Sequence, residues 1–186
     1  MEFADLERPE LGVDIPFSQF ARIVDSWTEY ANERGVQLSS NRPIPTSFWM
    51  VLFGLDRALH QKYYRGVDTR SGGIIAPAVA KSIYWISLLS SSKFISEVKR
   101  HIPIYESMLQ QEVERNNQRQ KEYVQMAPVA AKAIHDHGGF VTAEVLGTLI
   151  DFPPRRLNGL LKKVASLQKY DAEVQKKPYA VKVNKV

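Results

Sequence analysis

The spacing of apolar residues changes near residue 167, and this change constrains the fold of the C-terminal third more than any other feature. Before it, apolar residues recur three and four positions apart within 154–166, namely Leu157, Leu160, Leu161 and Val164. This period predicts a helix with one buried face. After it, apolar and polar residues alternate through 170–175 and 179–184, on either side of Lys176-Lys177-Pro178. A period of two predicts two strands, so a hairpin should follow the helix.

Two further helices are predicted upstream of this segment. The first covers 126–137 and stops at Gly138-Gly139. Thr142 is a suitable N-cap for the second, which runs to about Ile150. Between the two helices, Phe140-Val141 is short and favours a strand. A tight turn containing proline then leads into the third helix.

The order helix, short strand, helix, tight turn, helix, hairpin resembles the winged helix-turn-helix superfamily. The resemblance covers 126–186, about a third of the chain. It implies that 154–166 is the recognition helix, which lies in a DNA major groove, and that the hairpin is a wing over the DNA backbone. The turn Lys176-Lys177-Pro178 would then be the tip of the wing.

The preceding 125 residues are predicted to form a separate helical domain, for dimerisation or partner binding, that resembles no named family. Its first helix should carry the apolar stripe between Phe17 and Ala31, begin at an Asp14 cap and end at Gly35. A second should run from Thr46 to about Tyr64, with a glycine inside it. The fold class is therefore mainly α, with a helical domain over 1–125 and a winged-helix domain with a small β-hairpin over 126–186.

The rest of the helical domain is predicted from proline and serine positions. A third helix should begin at Pro77, and a short one over 93–100 should end before Pro103. A longer helix should reach about residue 125. Its part from 110 to 122 has one apolar residue and should be a solvated connection between the domains. The tryptophans lie on apolar helix faces and are expected in the core: Trp27, Trp49 and Trp85.

Positive charge is concentrated at the C-terminal end. Residues 154–186 hold nine Lys or Arg and two Asp or Glu, whereas the other 153 residues hold 16 basic and 18 acidic side chains. This asymmetry indicates a polyanion or an acidic partner surface.

The third helix and the hairpin turn carry the candidate DNA contacts. Arg can form a fork of hydrogen bonds to guanine, Asn to adenine, and Lys can pair with phosphates. Gly159 should leave a bare outer spot where the helix can approach a groove closely. The candidates are Arg155, Arg156, Asn158, Lys162 and Lys163 on the helix, and Lys176 and Lys177 at the turn. The function predicted is a duplex-DNA-binding regulator or accessory DNA-processing factor.

Other functions fit the same residues. Basic side chains on an exposed helix face also serve solubility, and winged helices also bind proteins. The main alternative is a structural or assembly subunit whose winged helix contacts proteins in a larger complex. A homodimer would suit two DNA half-sites. A third hypothesis is an enzyme with its site near 65–81.

No catalytic activity, cofactor or metal is expected. The chain lacks cysteine, which excludes disulfides and thiolate ligands. The imidazoles of His135 and His137 should point about 200° apart on a helix. The loop Arg70-Ser71-Gly72-Gly73, with Lys81 nearby, could hold an anion but lacks the spacing of known phosphate-binding motifs. With an acidic N-terminus and no long apolar stretch, the chain is expected to be cytoplasmic and not bound to a membrane.

Overall fold

The computed structural model describes residues 3, 6–10, 12–67 and 72–186, and these are mainly helical with a small antiparallel sheet near the C-terminus, as predicted. The helices are α1 (Phe17–Glu33), α2 (Trp49–Leu52), α3 (Arg57–Arg65), α4 (Pro77–Ser87), α5 (Ser91–His137), α6 (Ala143–Leu149) and α7 (Leu157–Ser166). The strands are β1 (Val141–Thr142), β2 (Ala172–Lys176) and β3 (Tyr179–Val183). Short 3₁₀ turns cover Thr46–Phe48, Pro154–Arg156 and Gln168–Tyr170.

The chain forms two compact units, which we call the N-terminal unit (Met1–Gln110) and the C-terminal unit (Gln111–Val186). Each unit has its own apolar core. The division falls within α5, and so does residue 125, where the sequence places a boundary. Within the described ranges, no helix combines the length and apolarity that crossing a bilayer requires.

The core of the N-terminal unit is rich in aromatic side chains. The predicted stripe of α1 is buried, and its Trp27 packs edge-on against Trp49 and Phe94 at ring-centroid distances of 5.3 and 5.4 Å. Gly35 follows α1 with a φ of 72°, which confirms the predicted stop. The predicted Asp14 cap is wrong, because α1 begins after Pro16 and has no side-chain cap.

The helix predicted over 46–64 is instead divided into a 3₁₀ turn, α2 and α3. Gly54 has a φ of 65°, a left-handed conformation that interrupts the helix at a position where glycine is unstrained. Asp56 then starts α3 afresh, since its Oδ1 accepts a hydrogen bond of 2.7 Å from the Leu59 backbone N–H. The break lets Phe53 and Leu55 both enter the core.

The predicted burial of Trp85 is wrong, whereas Trp27 and Trp49 are fully buried. Trp85 is 57% exposed on the outer side of α4. The reason lies in the composition of α4, whose only charged residue is Lys81. When a helix is apolar on nearly every side, the spacing of its apolar residues does not indicate which side is buried. In α4 the buried side is the one that carries Val79 and Ile83.

The predicted helix end before Pro103 is also wrong, because α5 continues through Pro103 and Pro128 to His137. A proline inside a helix costs roughly 3 kcal/mol, since a hydrogen bond is lost and the ring crowds the preceding turn. Buried apolar residues close to each proline on α5 offset this loss of stability. Ile102 and Tyr105 lie in the N-terminal core, and Ala127 and Ala131 lie in the C-terminal core.

The C-terminal unit packs the end of α5, α6 and α7 on a three-stranded sheet. The strand order is β1-β3-β2, and both pairings are antiparallel. The predicted Thr142 cap is confirmed, since its Oγ1 accepts a hydrogen bond of 3.4 Å from the Val145 backbone N–H. Short connections therefore bring three helices and a hairpin around one core.

Candidate nucleic-acid interface

The apolar side of α7 is anchored in the C-terminal core, which fixes the direction of its polar side. The four residues that predicted this helix are all buried: Leu157, Leu160, Leu161 and Val164. Arg155, Asn158 and Lys162 are exposed, and Lys163 is half-buried. The burial pattern therefore directs the predicted polar side chains of α7 and of the 3₁₀ turn before it away from the core, and Arg156, described below, is the exception.

The pairing of β2 with β3 determines which side of the hairpin each side chain occupies. Val174 pairs with Val181, and Lys176 pairs with Tyr179. Directly paired residues, and those two positions along a strand, share a face of the sheet. Because Val181 lies in the core with α7, Lys176 and Tyr179 belong to the hairpin face on which α7 packs.

A contact between Lys162 and Tyr179 joins the helix to the hairpin. The Lys162 Nζ atom lies 5.9 Å from the centroid of the Tyr179 ring, within the range of a cation–π interaction. Burial raises the pKa of the Tyr179 phenol, so the ring stays neutral at physiological pH. Tyr179 follows the turn that carries Lys177, which is exposed. We call this surface the cationic face: Arg155, Asn158, Lys162, Lys176, Lys177 and Tyr179. Lys163 is not part of it, because it follows Lys162 by about 100° around the helix and lies on the side of Gly159.

The acidic side chain of β2 lies on the opposite side of the hairpin. Glu173 pairs in register with Lys182, and its Oε1 is 3.7 Å from the Lys182 Nζ. The same oxygen accepts a hydrogen bond of 2.7 Å from the Asn184 side chain. This hydrogen bond and the charge of Lys182 lower the pKa of Glu173. The negative charge is thus held away from the cationic face.

Arg156 differs from the other six candidates because it is engaged with α5. Its guanidinium donates a hydrogen bond to a Glu122 carboxylate oxygen and lies 5.8 and 5.6 Å from the ring centroids of Tyr123 and Phe152. Burial acts to lower the pKa of Arg156, but Glu122 and Tyr123 outweigh it and raise the pKa. This arginine is therefore permanently charged and held by a carboxylate in its own unit.

The bare spot expected at Gly159 is wrong, because Tyr123 occupies it. A Cβ atom built on Gly159 would lie 2.6 Å from the Tyr123 Cζ and 3.0 Å from its Cε2, with the hydroxyl oxygen closer still. Glu122, Tyr123, Phe152 and Tyr179 are the site residues that the sequence analysis missed. Tyr123 is 36 positions from Gly159, and no local pattern connects them.

The structure does not support the other two candidate sites, the anion loop and the histidine pair. Arg70 and Ser71 lie outside the described residues, so the geometry of that loop as an anion site is not described. The His135 Nδ1 lies 3.5 Å from the Asp136 carboxylate next to it. Among the described residues, no three His, Asp or Glu side chains converge in a way that could hold a metal ion.

Comparisons of the chain with protein-family models, with curated proteins and with solved structures find no match.

Proposed function

We propose that the C-terminal unit is a winged-helix module that binds duplex DNA through the cationic face, as a regulator or an accessory DNA-processing factor. The helix order and the strand order β1-β3-β2 support the module. The observation that carries the DNA proposal is the approach of Lys162 to Tyr179. Lys162 on α7 contacts the strand residue that pairs with Lys176 at the hairpin turn, which supports the proposal that helix and hairpin meet one polyanion.

The charge of the two units supports the same proposal. The C-terminal unit holds 13 basic and 8 acidic side chains, and the N-terminal unit holds 12 of each. The net charge of +5 therefore belongs to the unit that carries the cationic face. Phosphate binding by such a surface releases counterions and falls steeply with salt.

The exposed side chains divide into two roles. Lys162, Lys176 and Lys177 suit phosphate oxygens, since an ammonium group binds as a point charge. Arg155 and Asn158 can form paired hydrogen bonds with base edges. Because Arg156 is held by Glu122, Arg155 in the 3₁₀ turn and Asn158 on α7 are the candidates left for base contacts. We therefore expect binding dominated by phosphate contacts, with modest sequence preference.

The test is binding of the full chain to a fluorescein-labelled duplex, followed by anisotropy across a salt series. Arg155→Ala/Lys162→Ala should weaken binding at least about tenfold and reduce the slope of log K against log salt by about 1 to 2. Lys99→Ala/Lys132→Ala removes the same charge from exposed positions elsewhere and should leave affinity within about threefold. Equal losses in the two variants would show non-specific attraction and refute the proposed face.

A second function, contact with a protein in a larger complex, is favoured by a different part of the same unit. A groove of about 490 Å³ is lined by α5 and α6, and its Val129 and Leu149 are 50% and 41% exposed. Retention of the full chain on heparin at physiological salt separates the two functions. Early elution, together with no measurable DNA binding, would favour the assembly role.

A further inference from the structure

The outer side of α4 exposes an unusual amount of apolar surface. Trp85 and Leu88 are 57% and 56% exposed, and neighbouring Val13 is 52% exposed. A helix that is apolar all round is normally covered on both sides. Tryptophan is also one of the side chains enriched among the central, energetically dominant residues of protein interfaces. This face therefore has the composition of an interface.

Trp85 stands between two concave regions of the N-terminal unit. The first, of about 270 Å³, includes Glu10, Asp14 and Lys81 in its wall, and we call it the acidic hollow. The second, of about 390 Å³, includes Leu89, Lys93 and Glu97, and we call it the basic hollow. The projecting indole thus lies next to cavities that could receive another indole.

The charges of the two hollows are opposite. The acidic hollow has two carboxylates against one ammonium. At the basic hollow, Glu97 accepts a hydrogen bond from Arg100 beside the lining, so Lys93 and Arg100 together outweigh the one carboxylate there. A partner of a single charge would be repelled by one of the hollows. A second copy related by a two-fold axis near Trp85 brings each acidic hollow against a basic one.

We propose that the α4 face is a homodimer interface in which Trp85 of each copy enters the basic hollow of the other. Asp14 then approaches Lys93 of the second copy, and the same pair forms again across the two-fold axis. This inference concerns the N-terminal unit alone and does not depend on DNA binding. The apolar contact rests on three side chains, Trp85, Leu88 and Val13, and small interfaces are typically weak, so we expect a dimer of about micromolar affinity.

Sedimentation velocity of the full chain tests the proposal over about 1 to 200 µM, the range where a weak dimer dissociates. Trp85→Ala should weaken the dimer about thirtyfold, as expected for a central aromatic anchor. Fluorescence supplies an independent measurement. Trp27 and Trp49 are fully buried, so quenching by acrylamide reports Trp85 and should decrease as dimer forms.

Exchanging the charges of Asp14 and Lys93 distinguishes the loss of an interface from a folding defect. Asp14→Lys and Lys93→Asp should each weaken the dimer about tenfold, because each places like charges together. Both positions are exposed, so folding should be retained. The double variant Asp14→Lys/Lys93→Asp should recover to within about threefold of wild type. A monomer at every concentration, an unaffected Trp85→Ala dimer, or a double variant no better than the singles would overturn the proposal.

Discussion

Gly159→Ala should destabilise the C-terminal unit, although alanine is the better helix former. Helix propensity alone favours alanine by about 1 kcal/mol. The new Cβ would lie 2.6 Å from the Tyr123 Cζ, however, and overpacking of this kind costs about 1–3 kcal/mol. The ring cannot turn away freely, because it would give up contact with Arg156 and with Phe152, whose ring centroid is 6.2 Å away. We expect a net loss of about 1 kcal/mol.

Removing the Tyr123 ring should make Gly159→Ala stabilising where it is otherwise destabilising. In a Tyr123→Ala background, the space above Gly159 is empty, so Gly159→Ala should stabilise the unit by about 1 kcal/mol. The two changes are then coupled by about 2 kcal/mol in a double-mutant cycle. Urea unfolding followed by circular dichroism measures the cycle. Tryptophan fluorescence identifies the transition of the N-terminal unit, since all three tryptophans lie there.

If Gly159→Ala stabilises the wild-type chain as much as it stabilises the Tyr123→Ala chain, the ring does not occupy the outer face of α7. The close approach that we predicted for a DNA groove would then be open again.

Two further predictions concern the N-terminal unit, and tryptophan fluorescence in urea measures both. Burial lowers the pKa of His60 from 6.5, and a weaker opposing effect comes from the Thr46 backbone. The unfolded chain therefore binds the proton more tightly, so stability is fully present above about pH 6.5 and is lost as the pH falls towards the lower folded pKa. His60→Leu should flatten this dependence, and an unchanged pH profile would contradict it. Asp56→Ala should cost about 1 kcal/mol by removing the cap of α3, whereas Asp56→Asn should cost less than half of that. Equal losses would show that the capping hydrogen bond does not contribute to stability.

Local periodicity predicted the C-terminal elements well. The burial of Leu157, Leu160 and Leu161 follows from their spacing, because a short helix beside a sheet has one obvious buried side. The cap at Thr142 follows from side-chain chemistry within three residues. These are contacts between near neighbours in sequence, and the physics that determines them is local.

Three of the errors, unlike the Asp14 cap and the helix break at Gly54, involve contacts between distant residues. Tyr123 covers Gly159 from another helix, and nothing near either residue indicates this. Trp85 is exposed because Val79 and Ile83 occupy the side of α4 that faces the core. Pro103 lies inside a continuous helix because packing on both sides outweighs its local cost. In each case tertiary packing overrides a local preference.

Arg155 and Arg156 are neighbours with the same charge, yet they stand under different constraints. Arg156 donates a hydrogen bond to Glu122, and lysine at position 156 would lack the planar guanidinium that makes this contact. Any substitution there also perturbs the contact between α5 and the start of α7. Arg155 is exposed and has no such carboxylate partner among the residues that the structure describes, so we expect its replacement to cost little stability. If the unit binds DNA as proposed, target preference can be retuned at positions 155 and 158, while position 156 preserves the scaffold that presents them.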